Sequence, residues 1–435
     1  MTAPPSHPTG QDPFADWLRE HAVPLTGLDP DAPLDDLEPL REVLGTARVV
    51  ALGENSHFIQ EFARARQRLL RFLVERCGFT VLAFEYGFSE GFALDAWAQG
   101  AGTDDGLARH LDAAIPVGLT EPLHWLRHHN RTAARPVRFA GVDIPAAGGS
   151  LLPALEPLTD YLRETDPDLL PLVEAATALA GRLATTSGAL AAPAWARLDT
   201  ADQDALTAAT MRLLTRFRSL EPLYVDRSGQ YAYDVALRRV EAACHADYTF
   251  RAMAGLFAGS GLPADTSARE VFMAGSVLWH LDHADPGTRV VLAAHNGHIQ
   301  RTPVSFGGNL TGLPMGHHLQ RALGDDYFAL GMTSTAGHTA EMHLDEKARF
   351  GFTVENLRLE PPEPGSVEAA FDAAGTGLSA VGLRGAPRAP SGSGSGFGGP
   401  DRIRIQGAYV HTPVLDAFDG MLHVPTSTVT EDEDF

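Results

Sequence analysis

The sequence predicts an α/β fold: a mostly parallel central sheet flanked by helices, with an inserted helical lobe that forms a cleft against it. Three observations carry this. Short apolar runs of strand length alternate with helical segments, the pattern of a parallel sheet with helices on its faces. Between residues 151 and 260 the alternation stops, and a stretch rich in Leu, Ala, Glu and Arg without a strand signal takes over. Polar residues follow closely on the strand-like runs, where open α/β sheets hold their ligands.

The elements follow in chain order. Residues 1–12 are Pro-rich and read as a loose tail, and 13–22 read as a helix. Arg48–Leu52, an apolar run stopping at Gly53, is the first strand. Residues 59–77 have helical periodicity, Phe79–Phe84 is a second strand, 121–134 a helix and Val137–Val142 a third strand. After the lobe come a helix at 268–281 and strands at Arg289–Ala294 and Tyr327–Met332. Residues 389–401, with the run SGSGSGFGGP, form a flexible loop by composition. Strand-like runs near 404–411 and 420–424 make it internal, and residues 426–435 form an acidic tail. The chain therefore divides into one α/β body, 13–150 with 261–425, interrupted by a lobe at 151–260.

Composition narrows the function. Its 34 Lys+Arg against 55 Asp+Glu leave a net charge of −21. That argues against a nucleic-acid binder, which needs a basic face, and against docking on an anionic membrane. No run of about 18 apolar residues offers a membrane span, and the start lacks the basic-then-apolar pattern of a signal peptide. A cytoplasmic location is the expectation. Cys77 and Cys244 are too few for a disulfide framework and are expected as reduced structural thiols.

Four strand ends carry chemistry. The first strand runs into Gly53-Glu54-Asn55-Ser56-His57, the second ends at Glu85, the third at Asp143, and the fourth at His295 with Asn296 and His298 beyond. Taken singly, each could be a cap or a satisfied structural residue; parallel strands would bring all of them to one sheet edge. In the 59–77 helix, Phe62, Leu69, Leu70 and Leu73 form an apolar stripe with Arg66 in its middle. A guanidinium there needs carboxylates, and Glu54 and Glu85 are the expected partners, unless Arg66 snorkels to water. Arg64, Arg68 and Arg71 lie on the other face and read as solvated.

No G-x-S-x-G elbow, H-E-x-x-H, Walker A or Rossmann glycine motif is present. His295-Asn-Gly-His298 has the H-x-x-H spacing of a metal pair, a weak signal alone; His280-Leu-Asp-His283 repeats it at a helix end and reads as solvated. Imidazoles, carboxylates and an arginine suit general-base activation of water at a carbonyl polarised by other imidazoles.

The runs GENSHFIQEF, FEYGFSEG, GTDDG, GVDIPAAGGS, MAGSVLWHL and GDDYFALGMTS, with Ala294-His-Asn-Gly-His298, Pro314-Met-Gly316 and Phe418-Asp-Gly420, resemble the erythromycin (macrolide) esterase family, and most of all its type-B branch. The resemblance extends from about residue 13 to 425. It implies hydrolysis of the macrolactone ester of 14-membered macrolides, without a metal or other cofactor. It places His57 at the family's general base. Glu54, Arg66 and Glu85 match residues that orient the base or the water, and His295 and His298 match histidines near the scissile carbonyl. Asp143 and Asn296 are expected at the substrate edge of the site. The implied partner is a small-molecule macrolide or related natural product, met by a monomer. For a cationic amino-sugar substrate, the acidic excess would also steer encounter. Two other readings stay open: a biosynthetic step on another lactone, ester or amide, and a non-catalytic carrier of a hydrophobic ligand or of haem through His295 or His298.

Overall fold

The computed structural model describes residues 12–44, 46–112, 115, 118–306, 309–388 and 399–430. Most of the Pro-rich start, most of the Gly/Ser loop and the acidic run at 431–435 lie outside those residues. Among the described residues, nine strands build the central sheet. They are β1 (Val23–Pro24), β2 (Val49–Leu52), β3 (Val81–Gly87), β4 (Arg138–Asp143), β5 (Val290–Ala293), β6 (Tyr327–Leu344), β7 (Phe352–Arg358), β8 (Ser379–Gly382) and β9 (Gly420–Ser427).

The spatial order is β1-β8-β9-β6-β2-β5-β3-β4, with β7 pairing on β6. The six strands from β9 to β4 run parallel, whereas β8 and β1 add an antiparallel edge. β2 and β5 are buried at every residue, as expected for strands covered on both faces, where VVAL and VVLA need no polar alternation. The chain returns from the lobe to insert β5 between β2 and β3. That single crossover sets four strand C-termini side by side.

The Gln60–Cys77 helix covers one face with Phe62, Leu69, Phe72 and Leu73, and stops where Gly78 takes a left-handed φ of 77°. The Ser267–Asp282 helix covers the other through Met273, Val277 and Leu281. The lobe is helical throughout its described length, from Leu152–Thr165 to Gln230–Phe257. Its core, in which Phe217 stacks on Tyr224 at 4.8 Å, continues onto the body through Phe88, Ile144 and Phe272.

Several expectations need correction. β6 runs far past Met332, because its second half leaves the parallel sheet to pair with β7 from His338 to Leu344. The 402–411 runs form a separate hairpin, Arg402–Ile405 against Ala408–His411. The α/β body does not stop at 425: β9 continues to Ser427, and Val429 bridges Ile59. Arg68 is not solvated. It is 1 % exposed, and its two terminal nitrogens donate to Asp36 at 2.8 and 3.0 Å and to the carbonyls of Gly27 and Pro33, the carboxylate and carbonyl acceptors a buried fork needs. Arg71 is also partly covered and meets Glu75, and Arg64 is exposed as expected.

Neither cysteine is in a disulfide. Burial raises both thiols, Cys244 to about 11, which keeps them protonated and unreactive. No helix among the described residues is long and apolar enough to cross a membrane.

Candidate active site

The adjacent ends of β2, β5, β3 and β4 deliver the groups that the sequence singles out. Past β2, the turn at Glu54 folds back so that His57 Nδ1 lies 2.7 Å from Glu54 Oε1. A carboxylate only accepts, so Nδ1 carries the proton and Nε2 keeps its lone pair. Arg66 enters from the helix behind. Its Nη1 stands 3.1 Å from Glu54 Oε1, Nε donates to Gly53 O at 3.2 Å, and Nη2 donates to Ala294 O at 2.7 Å. Arg66 thus ties the ends of β2 and β5 together and fixes Glu54. Its expected second partner, Glu85, is not in contact with it: the intervening β5 separates β2 from β3.

Glu85 has other partners. Its Oε2 accepts the His295 backbone N–H at 3.0 Å, and its Oε1 lies 3.2 Å from His298 Nε2 and 3.1 Å from Arg269 Nη2. Arg269 also clamps Asp143, with Nε at 2.9 Å from Oδ1 and Nη2 at 2.5 Å from Oδ2. Asp143 is 0 % exposed, so it holds Arg269 and offers nothing to a substrate. His298 Nδ1 reaches Glu270 Oε1 at 2.7 Å, and Glu270 Oε2 accepts the Met315 N–H at 2.9 Å. Sequence reading missed both Arg269 and Glu270. They lie near the start of the Ser267–Asp282 helix, one turn before the quoted MAGSVLWHL run, and only the pairing of that helix with β4 reveals them.

The three histidines differ in protonation because their partners differ. Burial pulls His57 down, but the hydrogen bond and charge of Glu54 carry it above the ordinary value. Burial, and then the neighbouring His57 and His298, press His295 down to about 3. Its Nδ1 accepts the Gly297 N–H at 3.0 Å, so the neutral ring carries its proton on Nε2. His298 is opposed by burial, yet Glu270 and Glu85 raise it to about 10; with carboxylates at both nitrogens it is an imidazolium. Burial resists the ionisation of Glu85, but His298 and Arg269 hold it well below the usual carboxylate range. The His295 ring centroid lies 5.2 Å from that of His57 and 6.3 Å from that of His298. An imidazole held through Nδ1, a neutral N–H donor and a fixed cation therefore stand together.

The H-x-x-H pair does not fit a metal in this arrangement. His298 has no lone pair left, and His295 Nδ1 is engaged with its own backbone. Asn296 is turned away from the cleft: its Nδ2 donates to Met332 O at 2.8 Å, its Oδ1 accepts the Met332 N–H at 3.2 Å, and it is 1 % exposed. His280, expected in solvent, is packed between Phe88 and Trp279 and bonds Gly141 O at 3.1 Å. Burial lowers it to about 4. His283 is exposed and pairs with Asp234 at 2.9 Å.

His57, Glu85, Arg269 and His298 open onto a cavity of about 790 Å³ between the sheet edge and the lobe. Its lining includes apolar Ile144, Phe250, Met253 and Phe352, and Glu90 and Glu156 add carboxylates. A second space of about 810 Å³ lies at the β4 edge, around Arg138, Trp279 and His280, away from these groups.

The sequence model of the erythromycin esterase family matches residues 74–427. The chain is 38 % identical over 419 residues to erythromycin esterase type II of Escherichia coli, covering 96 % of this chain and 99 % of that one. It is 32 % identical over 397 residues to erythromycin esterase type I of Escherichia coli, covering 90 % and 94 %. Among solved structures it is similar to a histidine-to-asparagine variant of the erythromycin esterase EreC in its open conformation, with a TM-score of 0.83 at 27 % identity over 95 % of this chain and 99 % of that one. With family match, full-length relatives and shared fold in agreement, this chain belongs to the erythromycin esterase family and is an ester hydrolase.

Proposed function

We propose that the chain opens the macrolactone ester of 14-membered macrolides such as erythromycin, with His57 as the general base. The observation that carries this is the His57–Glu54 pair, in which one nitrogen is held at 2.7 Å and the other is free, at the wall of a cavity of about 790 Å³. That volume lies within the range of sites that enclose drug-sized ligands, and the apolar lining residues suit a macrolide skeleton.

His57 takes a proton from water, and the oxygen bonds to the lactone carbonyl carbon. Negative charge develops on the carbonyl oxygen, near the His295 Nε2–H and the fixed positive charges of His298 and Arg269. Donors and charges already in place are worth more at that moment than mobile water. The intermediate then breaks its bond to the ring alkoxide, which takes up the proton stored on His57. Glu54 keeps the imidazole in the tautomer this requires, and Arg66 holds Glu54. Asp143 and Asn296 are given supporting roles, the first under Arg269 and the second under the His295 turn. The ammonium of an amino sugar would find Glu90 and Glu156 on the cavity wall. The resident groups carry out the whole sequence without a cofactor.

The test is incubation of purified protein with erythromycin, followed by mass spectrometry. A product heavier by one water is expected, and His57→Asn should reduce its rate by several orders of magnitude with the fold intact. Near-normal turnover in that variant would remove His57 from the role. Binding of erythromycin without any mass gain would leave the esterase acting on a different ester.

A further inference from the structure

The turn that presents His57 is under backbone strain. Phe58, the next residue, has a φ of 61°, a left-handed conformation that is an outlier for a bulky side chain. Such a conformation persists only where its surroundings over-determine it. A small space of about 50 Å³ lies beside it, lined by Glu54, His57, Phe58, Arg66 and Thr430 among others. The turn therefore has room to relax and take His57 with it.

What holds the turn comes from the far end of the chain. After β9, residues 428–430 run across it as a strap. Thr430 donates twice to Phe58 O, from its backbone N at 2.9 Å and from Oγ1 at 3.1 Å. Val429 bridges Ile59. Gln60 N donates to Thr428 O at 3.0 Å, and Thr428 N donates to Glu61 Oε2 at 2.7 Å. The Gln60 contact matters because the Gln60–Cys77 helix has Ile59 at its N-cap and no side-chain cap, so the strap supplies an acceptor that its first turn lacks. The Phe58 ring is fixed on the other side by Phe352, at 6.4 Å between centroids.

We infer that Thr430 is a positioning residue for the hydrolysis: through the Phe58 carbonyl it keeps the strained turn in place and holds His57 against Glu54. The inference rests on the reading of His57 as the base, but it fails separately. His57→Asn tests the base, and variants of the strap test what places it.

The strap is tested with Thr430→Val, Thr430→Ser and a chain ending at Ser427, each assayed for macrolide opening over pH 5–9 alongside thermal unfolding. Thr430→Val, which removes one of the two donors, should lower kcat about three- to tenfold with KM within about twofold. Thr430→Ser should restore kcat. The shortened chain should lose about 100-fold or more in kcat. In Thr430→Val and the shortened chain the acid limb of the pH profile should move down, because a His57 released from Glu54 returns toward the ordinary histidine value. A role in stability alone would leave that limb where it is. Wild-type kcat in Thr430→Val overturns the inference, and so does an unmoved acid limb in that variant. The single substitution keeps the test decisive even if the shortened chain does not fold.

Discussion

Arg269 Nη2 and Glu85 Oε1 stand 3.1 Å apart, joined across a sheet edge by a helix that follows the whole lobe in sequence. The same nitrogen is 2.5 Å from Asp143 Oδ2. One guanidinium thus neutralises two carboxylates at the ends of neighbouring strands. Removing one partner of a buried pair leaves a bare charge, which costs about 3–5 kcal/mol. Arg269→Met should lower stability by about that much in denaturant titration and reduce kcat at least 100-fold, since Glu85 and with it His298 lose their anchor. Arg269→Lys should recover part of the stability but little kcat, because a point charge cannot span both acids as the planar fork does. A stable and active Arg269→Met enzyme would show that the clamp is incidental.

The pH profile should report the His57–Glu54 pair. His57 acts only when neutral. Burial works to lower its pKa, and Glu54 more than compensates, so it sits above the ordinary 6.5. The acid limb of kcat/KM should therefore fall above pH 6.5. In Glu54→Gln the raising charge is gone and the limb should move down, with a lower kcat as the tautomer loosens. A wild-type limb at or below 6.5 would contradict the assignment.

His295 should behave differently. Its neutrality is secured, at about 3, so it titrates nowhere near the working range. His295→Ala is expected to cost about 10²–10³ in kcat, the usual toll for losing one preorganised donor. It should leave KM nearly unchanged and bring no new limb into the pH profile above pH 5. A loss confined to KM would make His295 a binding group instead.

Stability should depend on pH through His298. Its folded value is about 10 against an ordinary 6.5. A raised value means that its contribution is complete below pH 6.5 and is lost as pH rises through about 10. Glu85 has the opposite sign: its depressed value gives a contribution present above about 4.5 and lost as pH falls. Unfolding free energy should decline from pH 7 to 10, and His298→Asn should flatten that decline relative to wild type. Parallel curves for the two proteins would mean that His298 is not an imidazolium in the fold.

The body of the fold was legible because a strand covered on both faces has nothing but apolar residues to show: VVAL and VVLA announce β2 and β5. The site was legible wherever a polar group ends such a strand, as with Glu54, Glu85 and His295. Partner choice was not. Pairing Arg66 with both Glu54 and Glu85 assumed that β2 and β3 are neighbours, and a strand arriving about 200 residues later separates them. Arg269 and Glu270 were invisible for the same reason, since nothing local marks a helix that packs on β4. Arg68 looks solvated in the sequence because helical periodicity describes one helix face and does not reveal the 27–36 segment lying over the other. The strap at 428–430 reads as a tail in the sequence, because three small or polar residues carry no signal until their backbone meets Phe58.

Asn296 shows how a strand-end polar group can serve the framework. It stands between two histidines of the site, yet both ends of its amide are spent on Met332 of β6. Gly53 makes room for it: a Cβ there would lie 1.9 Å from Asn296 Oδ1. Asn296→Ala would leave the Met332 N–H and C=O buried without partners, at about 1–3 kcal/mol for each unsatisfied group. The expected result is a stability loss of about 2–6 kcal/mol by denaturant titration, with KM for the macrolide within about twofold of wild type. Gly53→Ala should produce the same signature, because it displaces the same amide. Since neither change touches the cavity wall, a tenfold rise in KM at unchanged stability would return Asn296 to the substrate.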